Sequence, residues 1–178
     1  MDSPHNFGYK GSPFTADGDY PEMVDYVTES YADLDEERRE EVQEAFKKVA
    51  AALSAEANLA GQREQDQADK ELIAEGRALI EGGLAEILDT GMSCSDCHTF
   101  GEMEDIGSPV LDGYMSRQWL IDFIRNPADE RFYGDMNDRM PAYAPHDDPR
   151  LNQLDDKSLG LIVDWLRQSD GPDAATSP

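Results

Sequence analysis

The residues with the clearest chemistry are two cysteines and a histidine in the run Cys94-Ser95-Asp96-Cys97-His98. A C-x-x-C-H run is typical of covalent attachment of a c-type haem. If the run begins a helix, Cys94, Cys97 and His98 share one face, because residues three and four apart are neighbours on a helix. Both thiols can then form thioethers to one porphyrin edge, while the His98 imidazole ligates the iron. The run therefore predicts one covalently bound haem c.

Two other kinds of site use the same residue types. A structural zinc site needs four ligands, but the chain has only two Cys and three His, so it lacks a second cysteine pair. A thioredoxin-like dithiol belongs in a βαβ context, whereas the flanking sequence has helical patterns. The sequence therefore favours haem attachment over zinc or dithiol chemistry.

The haem iron has a second axial position, on the face opposite His98, and the sequence offers several candidate ligands for it. A methionine thioether there favours Fe(II) and suits an electron carrier, whereas an open face allows small-ligand chemistry. Met136, Met140 and His146 are the candidates. We predict Met140 as the axial ligand, because Pro141 restricts the backbone of its loop. Met136, His146 and an iron without a second protein ligand remain the alternatives.

Helical patterns run through most of the chain. Asp33 and Glu36 have capping-box spacing ahead of an apolar stripe that includes Val42 and Phe46, and a polar linker follows near residue 60. Further helices are predicted at 68–82, around Leu84 to Leu88, from a Ser116 or Asp112 cap to Asn126-Pro127, and from Asp155 or Asp156 through Trp165. The predicted fold is all-α: a helical N-terminal segment at 1–60, a haem-bearing unit at 61–172 and a flexible tail at 173–178.

The formal charge of −24, with 39 acidic against 15 basic residues, restricts the partners. Nucleic acid and anionic membranes are poor partners for this chain, because both carry the same sign of charge. A positively charged docking surface on another redox protein would be attracted, and salt would weaken that attraction. The alternative is an acidic surface that reflects a saline habitat.

The sequence also bears on cellular location. No apolar run has the ~20 residues needed to cross a bilayer, and the N-terminus shows no signal peptide. Because c-type haem is normally attached outside the cytoplasm, we expect a periplasmic or extracytoplasmic location. A leader or larger upstream part would then be missing from this chain.

Residues 68–170 resemble class I cytochrome c domains. The matching pieces follow in order: a helix with Gly76 and Ile80, the C-x-x-C-H run, the loop 107–113, Met140-Pro141, and a last helix with Ile162 and Trp165. The segment from Gly113 to Gly134 is similar to cytochrome c domains of cytochrome bc-type quinol oxidoreductase assemblies in planctomycete-like bacteria. In the loop 107–113, Ser108 occupies a position at which class I cytochrome c domains commonly have Gly.

The resemblance implies several contacts. The first and last helices of the domain would cross through Gly76, Ile80, Ile162 and Trp165. The Pro109 carbonyl would accept a hydrogen bond from the His98 ring and so orient the iron ligand. We also assign Trp119 to the cofactor-binding residues, as part of an apolar wall around the haem with Leu120 and Phe123.

The first 57 residues show a weak similarity to the back half of the second unit. Leu34-Asp35-Glu36 before one helix matches Leu154-Asp155-Asp156 before the last, and Met23-Val24-Asp25-Tyr26 matches Met140-Pro141-Ala142-Tyr143. One hypothesis is that this segment is the tail of an upstream cytochrome c domain, with Met23 as its axial ligand. The other is an unrelated helical extension with Met23 in its core.

These features predict single-electron transfer by one haem c with His98 and Met140 as axial ligands. The protein would serve as a subunit or domain of a respiratory quinol–cytochrome c oxidoreductase, beside cytochrome b-type membrane subunits. A free periplasmic carrier that passes electrons to a soluble acceptor is the alternative within electron transfer. A haem enzyme or gas-binding module with a labile sixth ligand is the alternative outside it.

Overall fold

The structure, a computed structural model, describes residue 26 and residues 34–101, 109–134 and 140–167. These ranges form six α-helices and no strand, which confirms the all-α prediction. The helices are α1 (Glu36–Glu56), α2 (Arg63–Ala68), α3 (Lys70–Ala78), α4 (Leu84–Leu88), α5 (Arg117–Arg125) and α6 (Asp156–Leu166). A π-helical segment, Leu79–Gly83, joins α3 to α4, and 3-10 turns lie at Ala60–Gln62, Cys94–Asp96 and Pro149–Leu151.

Three helices begin at side-chain caps. Asp35, Ser116 and Asp155 each accept a hydrogen bond from the backbone N–H three residues later, at 2.9, 3.2 and 2.8 Å. Such caps satisfy N–H groups that have no partner inside the helix. The predicted caps of α5 and α6 are confirmed. For α1 the predicted cap, Asp33, lies outside the described residues, and Asp35 takes that position.

The long helix α1 packs closely along α3. A Cβ atom added at Gly76 of α3 would lie 2.0 Å from the carbonyl oxygen of Lys48 and 2.9 Å from the Ala52 Cβ. Only glycine allows two backbones to come this near. The Lys48 ammonium also pairs with Glu75 at 2.6 Å, so the contact has an apolar centre and a charged edge.

The predicted crossing of the first and last helices of the haem-bearing unit is wrong. Gly76 and Ile80 pack against α1 rather than α6. On α6, the side chains of Ile162 and Trp165 are 37% and 78% exposed. The side of α6 that packs on α5 carries Leu159 and Val163 instead. The glycine marks a close helix contact, as the sequence indicates, but a helix from the predicted N-terminal segment makes it.

The strongest helix contacts divide the fold into two groups. The first helix group contains α1, α3 and α4, with Val42, Ile80, Leu84 and Phe100 among its buried side chains. The second helix group contains α5 and α6, whose buried cluster is Leu120, Ile121, Ile124, Ala144, Leu159 and Val163.

Hydrogen bonds from one loop connect the two groups. The backbone N–H of Leu111 donates to the Thr99 carbonyl at 2.9 Å, and that of Gly113 donates to the Glu56 carboxylate at 2.8 Å. At the end of α6, the Arg167 guanidinium donates to the Asn58 carbonyl at 3.2 Å. The domain boundary near residue 60 stays a prediction, and α1 packs across it.

Candidate functional site

The C-x-x-C-H run folds as a single helical turn. The backbone N–H of Cys97 donates to the Cys94 carbonyl at 3.2 Å, and that of His98 donates to the same oxygen at 2.8 Å. The first bond is of the 3-10 type and the second of the α type. The three side chains therefore belong to one turn, as their spacing predicts.

Two buried serines hold this turn against the preceding helices. The Ser93 backbone N–H donates to the Asp96 carboxylate at 2.6 Å, while the Ser93 hydroxyl accepts from the Ala85 N–H at 3.1 Å. The Ser95 hydroxyl donates to the Glu81 carbonyl at 3.0 Å. The sequence analysis missed these contacts. The Ser93-x-x-Asp96 spacing of a helix cap was the available signal.

The thiols of Cys94 and Cys97 are both free and half-buried. Cys94 packs against apolar side chains of the first helix group, and this burial raises the pKa of its thiol. The turn thus has two unpaired thiols next to one histidine.

The His98 ring is held by the residue that the resemblance names. Its Nδ1 lies 2.8 Å from the Pro109 carbonyl oxygen. Because a carbonyl can only accept, Nδ1 is the donor in this bond, and the lone pair of the neutral ring is then on Nε2. A neutral ring held in this way can bind a metal through Nε2, and the bond also fixes the ring orientation.

Trp119 secures the loop that carries Pro109. Its indole Nε1–H donates to the carbonyl of Val110, the next residue, at 2.9 Å. The indole also packs in an aromatic cluster, with ring centroids 5.2 Å from Phe123 and 5.1 Å from Phe132. Trp119 therefore supports His98 through the loop, while its predicted contact with the haem stays a prediction.

Met140 lies on the second helix group. Its side chain is half-buried and packs against the cluster of α5 and α6, the same cluster that Trp119 contacts. This places Met140 on the side of the fold that supplies Trp119, while the C-x-x-C-H turn belongs to the first helix group. Its assignment as axial ligand stays a prediction.

The other ligand candidates divide into two cases. His146 is exposed, and its backbone is held by Asn152 through two hydrogen bonds of 2.9 Å. Met136, and Met23 of the possible half repeat, lie outside the described residues.

Tyr26 supports the chain just before the turn, a role that the sequence analysis missed. Its hydroxyl donates to the Met92 carbonyl at 3.1 Å, and its ring packs on the cluster that contains Val42 and Leu84. Burial, followed by the nearby Cys94 thiol, raises the pKa of Tyr26 to about 12. The hydroxyl therefore stays protonated and able to donate at neutral pH.

Two further observations concern metals and membranes. Within the described ranges, no group of three or more His, Cys, Asp or Glu is arranged to hold a metal ion. No described helix is both long enough and apolar enough to cross a bilayer.

Comparison with known proteins adds no assignment. No family model, no curated protein and no solved structure matches this chain.

Proposed function

We propose that this protein transfers single electrons through one covalently attached haem c. Cys94 and Cys97 would form the thioethers, and His98 and Met140 would be the axial ligands. When bound, the haem supplies an iron that cycles between Fe(III) and Fe(II). The chain would provide the attachment, the axial ligands and a water-poor surrounding.

One observation carries the proposal: the His98 Nδ1–Pro109 hydrogen bond of 2.8 Å beside two free thiols. A histidine with only a structural role could use either ring nitrogen. Here the bonded nitrogen is the one that leaves Nε2 available, and the thiols lie on the same turn. The residues present therefore fit a c-type haem.

The remaining residues fix geometry. The Ser93–Asp96 bond keeps the turn in shape, and Trp119 keeps the Pro109 loop in place. Such supporting bonds matter because a ligand that rotates changes both the iron ligation and the reduction potential. The half-buried side chain of Met140 would let the thioether reach iron while packing on an apolar cluster.

We further propose a respiratory role at the extracytoplasmic face of a membrane. The resemblance to cytochrome bc-type assemblies supports a place beside membrane-bound redox subunits, with a free periplasmic carrier as the alternative. The charge of −24 supports a positively charged redox partner in either case. Co-sedimentation with the membrane fraction separates the two arrangements.

The proposal is tested by absorption spectra of the haem-loaded protein in both oxidation states. We expect a low-spin spectrum with the weak far-red Met–Fe(III) band. Met140→Ala should remove that band and admit added cyanide or CO quickly. Met92→Ala is the matched control, because the Met92 side chain is 46% exposed and should leave the spectrum unchanged.

Three results would contradict parts of the proposal. A high-spin spectrum of the unchanged protein, with rapid CO binding, would favour a gas-binding or enzymatic haem site. Loss of the far-red band in Met136→Ala alone would move the ligand to Met136. A protein in which Cys94→Ser with Cys97→Ser binds haem as firmly as the unchanged chain would refute covalent attachment.

A further inference from the structure

A nearly buried carboxylate at the end of α1 holds the loop that carries Pro109. The Glu56 side chain is 10% exposed, and its two oxygens have different partners. Oε1 pairs with the Arg77 guanidinium of α3, and Oε2 accepts a hydrogen bond from the backbone N–H of Gly113 at 2.8 Å. One carboxylate therefore joins α1, α3 and the 109–113 loop.

Both partners of this carboxylate are themselves held in place. Removing a charged group from water costs free energy unless the group is paired and hydrogen-bonded. Arg77 supplies the opposite charge, and its guanidinium carbon lies over the Phe100 ring, 5.6 Å from the ring centroid. Gly113 has a φ of +61°, a left-handed backbone conformation that favours glycine. The Glu56 carboxylate thus lies in a formed site between two fixed donors.

The loop and the C-x-x-C-H turn rest on the same part of the first helix group. Leu111 of the loop and Cys94 of the turn pack against one buried cluster. That cluster consists of Val49, Ala52, Ile80 and Phe100. The Leu111 N–H also donates to the carbonyl of Thr99, the residue after His98, at 2.9 Å. The position of the loop on the first helix group therefore sets where the Pro109 carbonyl lies relative to the His98 ring.

The same loop is also bonded to α5 and to the chain that follows α5. The Val110 N–H donates to the Arg131 carbonyl at 2.9 Å, and the Val110 carbonyl accepts from the Trp119 indole at 2.9 Å. These bonds hold the loop to the second helix group, whereas the turn with His98 belongs to the first. The bond from Gly113 to α1 therefore keeps the loop on the side of the turn.

We propose that Glu56 is a positioning residue for the axial histidine: by holding Gly113, it keeps the Pro109 carbonyl within reach of the His98 Nδ1–H. This inference rests on the proposed haem c function, where the ring orientation acts on the iron. A hydrogen bond from the far ring nitrogen makes an imidazole a stronger electron donor to a metal. Stronger donation favours Fe(III), so a weaker bond raises the reduction potential.

Variants of the full haem-loaded chain separate the hydrogen bond from the charge. Glu56→Leu leaves the Gly113 N–H without its acceptor and should raise the reduction potential. It should also speed the solvent exchange of the His98 Nδ1–H, followed by NMR of the reduced protein, by about tenfold. Glu56→Gln keeps an oxygen for Gly113 and should return both quantities most of the way to those of the unchanged chain.

A milder variant and a matched control complete the set. Glu56→Asp keeps the charge but withdraws the acceptor by one methylene, so it should move both quantities in the same direction as Glu56→Leu, even if the latter does not fold. Glu75→Leu is the control, because Glu75 pairs with Lys48 at 2.6 Å across the same two helices and is 58% exposed. It should leave the potential and the ring-proton exchange unchanged, and urea unfolding compares the stability of all the variants.

Three outcomes would overturn the proposal. Equal potential shifts in Glu56→Leu and Glu56→Gln would assign the effect to the charge rather than to the bond with Gly113. Unchanged exchange of the His98 ring proton in both Glu56→Asp and Glu56→Leu would show that the loop keeps its place without α1. Shifts of similar size in Glu75→Leu would assign them to a general loosening of the α1–α3 contact.

Failure of the haem assignment is recognised separately. It would appear in the absorption spectrum of the unchanged chain, before any variant is compared, and it would overturn both proposals. A chain with the expected low-spin spectrum whose Glu56 variants behave like Glu75→Leu would overturn the positioning role alone.

Discussion

The two helix groups are held together by different kinds of contact. In the first, α1 and α3 come so near that a glycine is required, and apart from Phe100 the buried side chains are small or aliphatic. In the second, the rings of Trp119, Phe123 and Phe132 pack beside α5, with centroids 5.1 to 5.3 Å apart. The packing of the first group therefore requires a residue without a side chain, Gly76, whereas the packing of the second group relies on large aromatic rings.

This difference matches what each group contributes to the candidate site. The first group carries the C-x-x-C-H turn, which the hydroxyls of Ser93 and Ser95 tie to the segments before it. Trp119 and Met140 belong to the second group, where both pack against its buried cluster. In the proposed haem site, covalent attachment would therefore fall to the first group and axial ligation by Met140 to the second.

The largest effect should come from emptying the aromatic cluster. Phe132 is 1% exposed, so Phe132→Ala should lower the free energy of unfolding by about 3–5 kcal/mol through the cavity that it leaves. Urea unfolding followed by circular dichroism measures the loss. Tyr133→Ala is the control, because Tyr133 is 40% exposed at the edge of the cluster and should cost clearly less. Equal losses would show that Phe132 is not the centre of the cluster.

The next effect should come from adding one methyl group to the first helix group. In Gly76→Ala the new Cβ meets the Lys48 backbone, which cannot rotate away, so we expect a loss of about 1–3 kcal/mol. Gly61→Ala, where no atom lies within 4 Å, should change stability little. The same unfolding measurement applies. If Gly76→Ala were as stable as the control, α1 and α3 would not be packed as described.

A smaller, pH-dependent effect should come from the ion pair between α5 and α6. Arg117 donates to both carboxylate oxygens of Asp164, at 2.7 and 3.1 Å, and these bonds lower the pKa of Asp164. A lowered pKa contributes stability above the ordinary aspartate pKa of about 4, and this contribution is lost as the pH falls below it.

Asp164→Asn should therefore cost about 1 kcal/mol at pH 7, a modest value because Arg117 is half exposed and screened by solvent. The difference from the unchanged protein should shrink towards pH 3. Asp156→Asn is the control, since its pair with Arg125 is on the surface. A difference that stays constant from pH 7 to pH 3 would contradict the role of the charge.

The caps and helices could be predicted wherever a local signal exists. Ser116 and Asp155 were identifiable because a capping side chain bonds to its own helix a few residues later. The turn at Cys94 followed from spacing alone. The Pro109 acceptor was predicted only from the resemblance. Every residue has a backbone carbonyl, so the sequence itself does not indicate which one accepts the hydrogen bond. For the same reason, the Val110 carbonyl that accepts from Trp119 and the Glu81 carbonyl that accepts from Ser95 were not predicted at all.

The helix partner of Gly76 could not be predicted for a different reason. Glycine in an apolar pattern indicates that another backbone comes near, but it does not identify that backbone. Both α1 and α6 have an apolar strip after an aspartate cap. The sequence pattern of each helix therefore makes it an equally good candidate for the helix that packs on Gly76. The structure pairs Gly76 with α1, whose small residue Ala52 fits the close contact.

The position of α1 has a practical meaning for anyone who wishes to shorten this protein. A chain cut at the polar linker would retain the complete C-x-x-C-H run, yet α3 would lose the helix that covers Gly76 and Ile80. The cysteines would then sit on a unit with an open apolar side. A shortened protein that keeps them in a closed core must include α1 and also Tyr26, whose ring packs on the same cluster, and so must begin well before the linker that the sequence alone suggests as the cutting point.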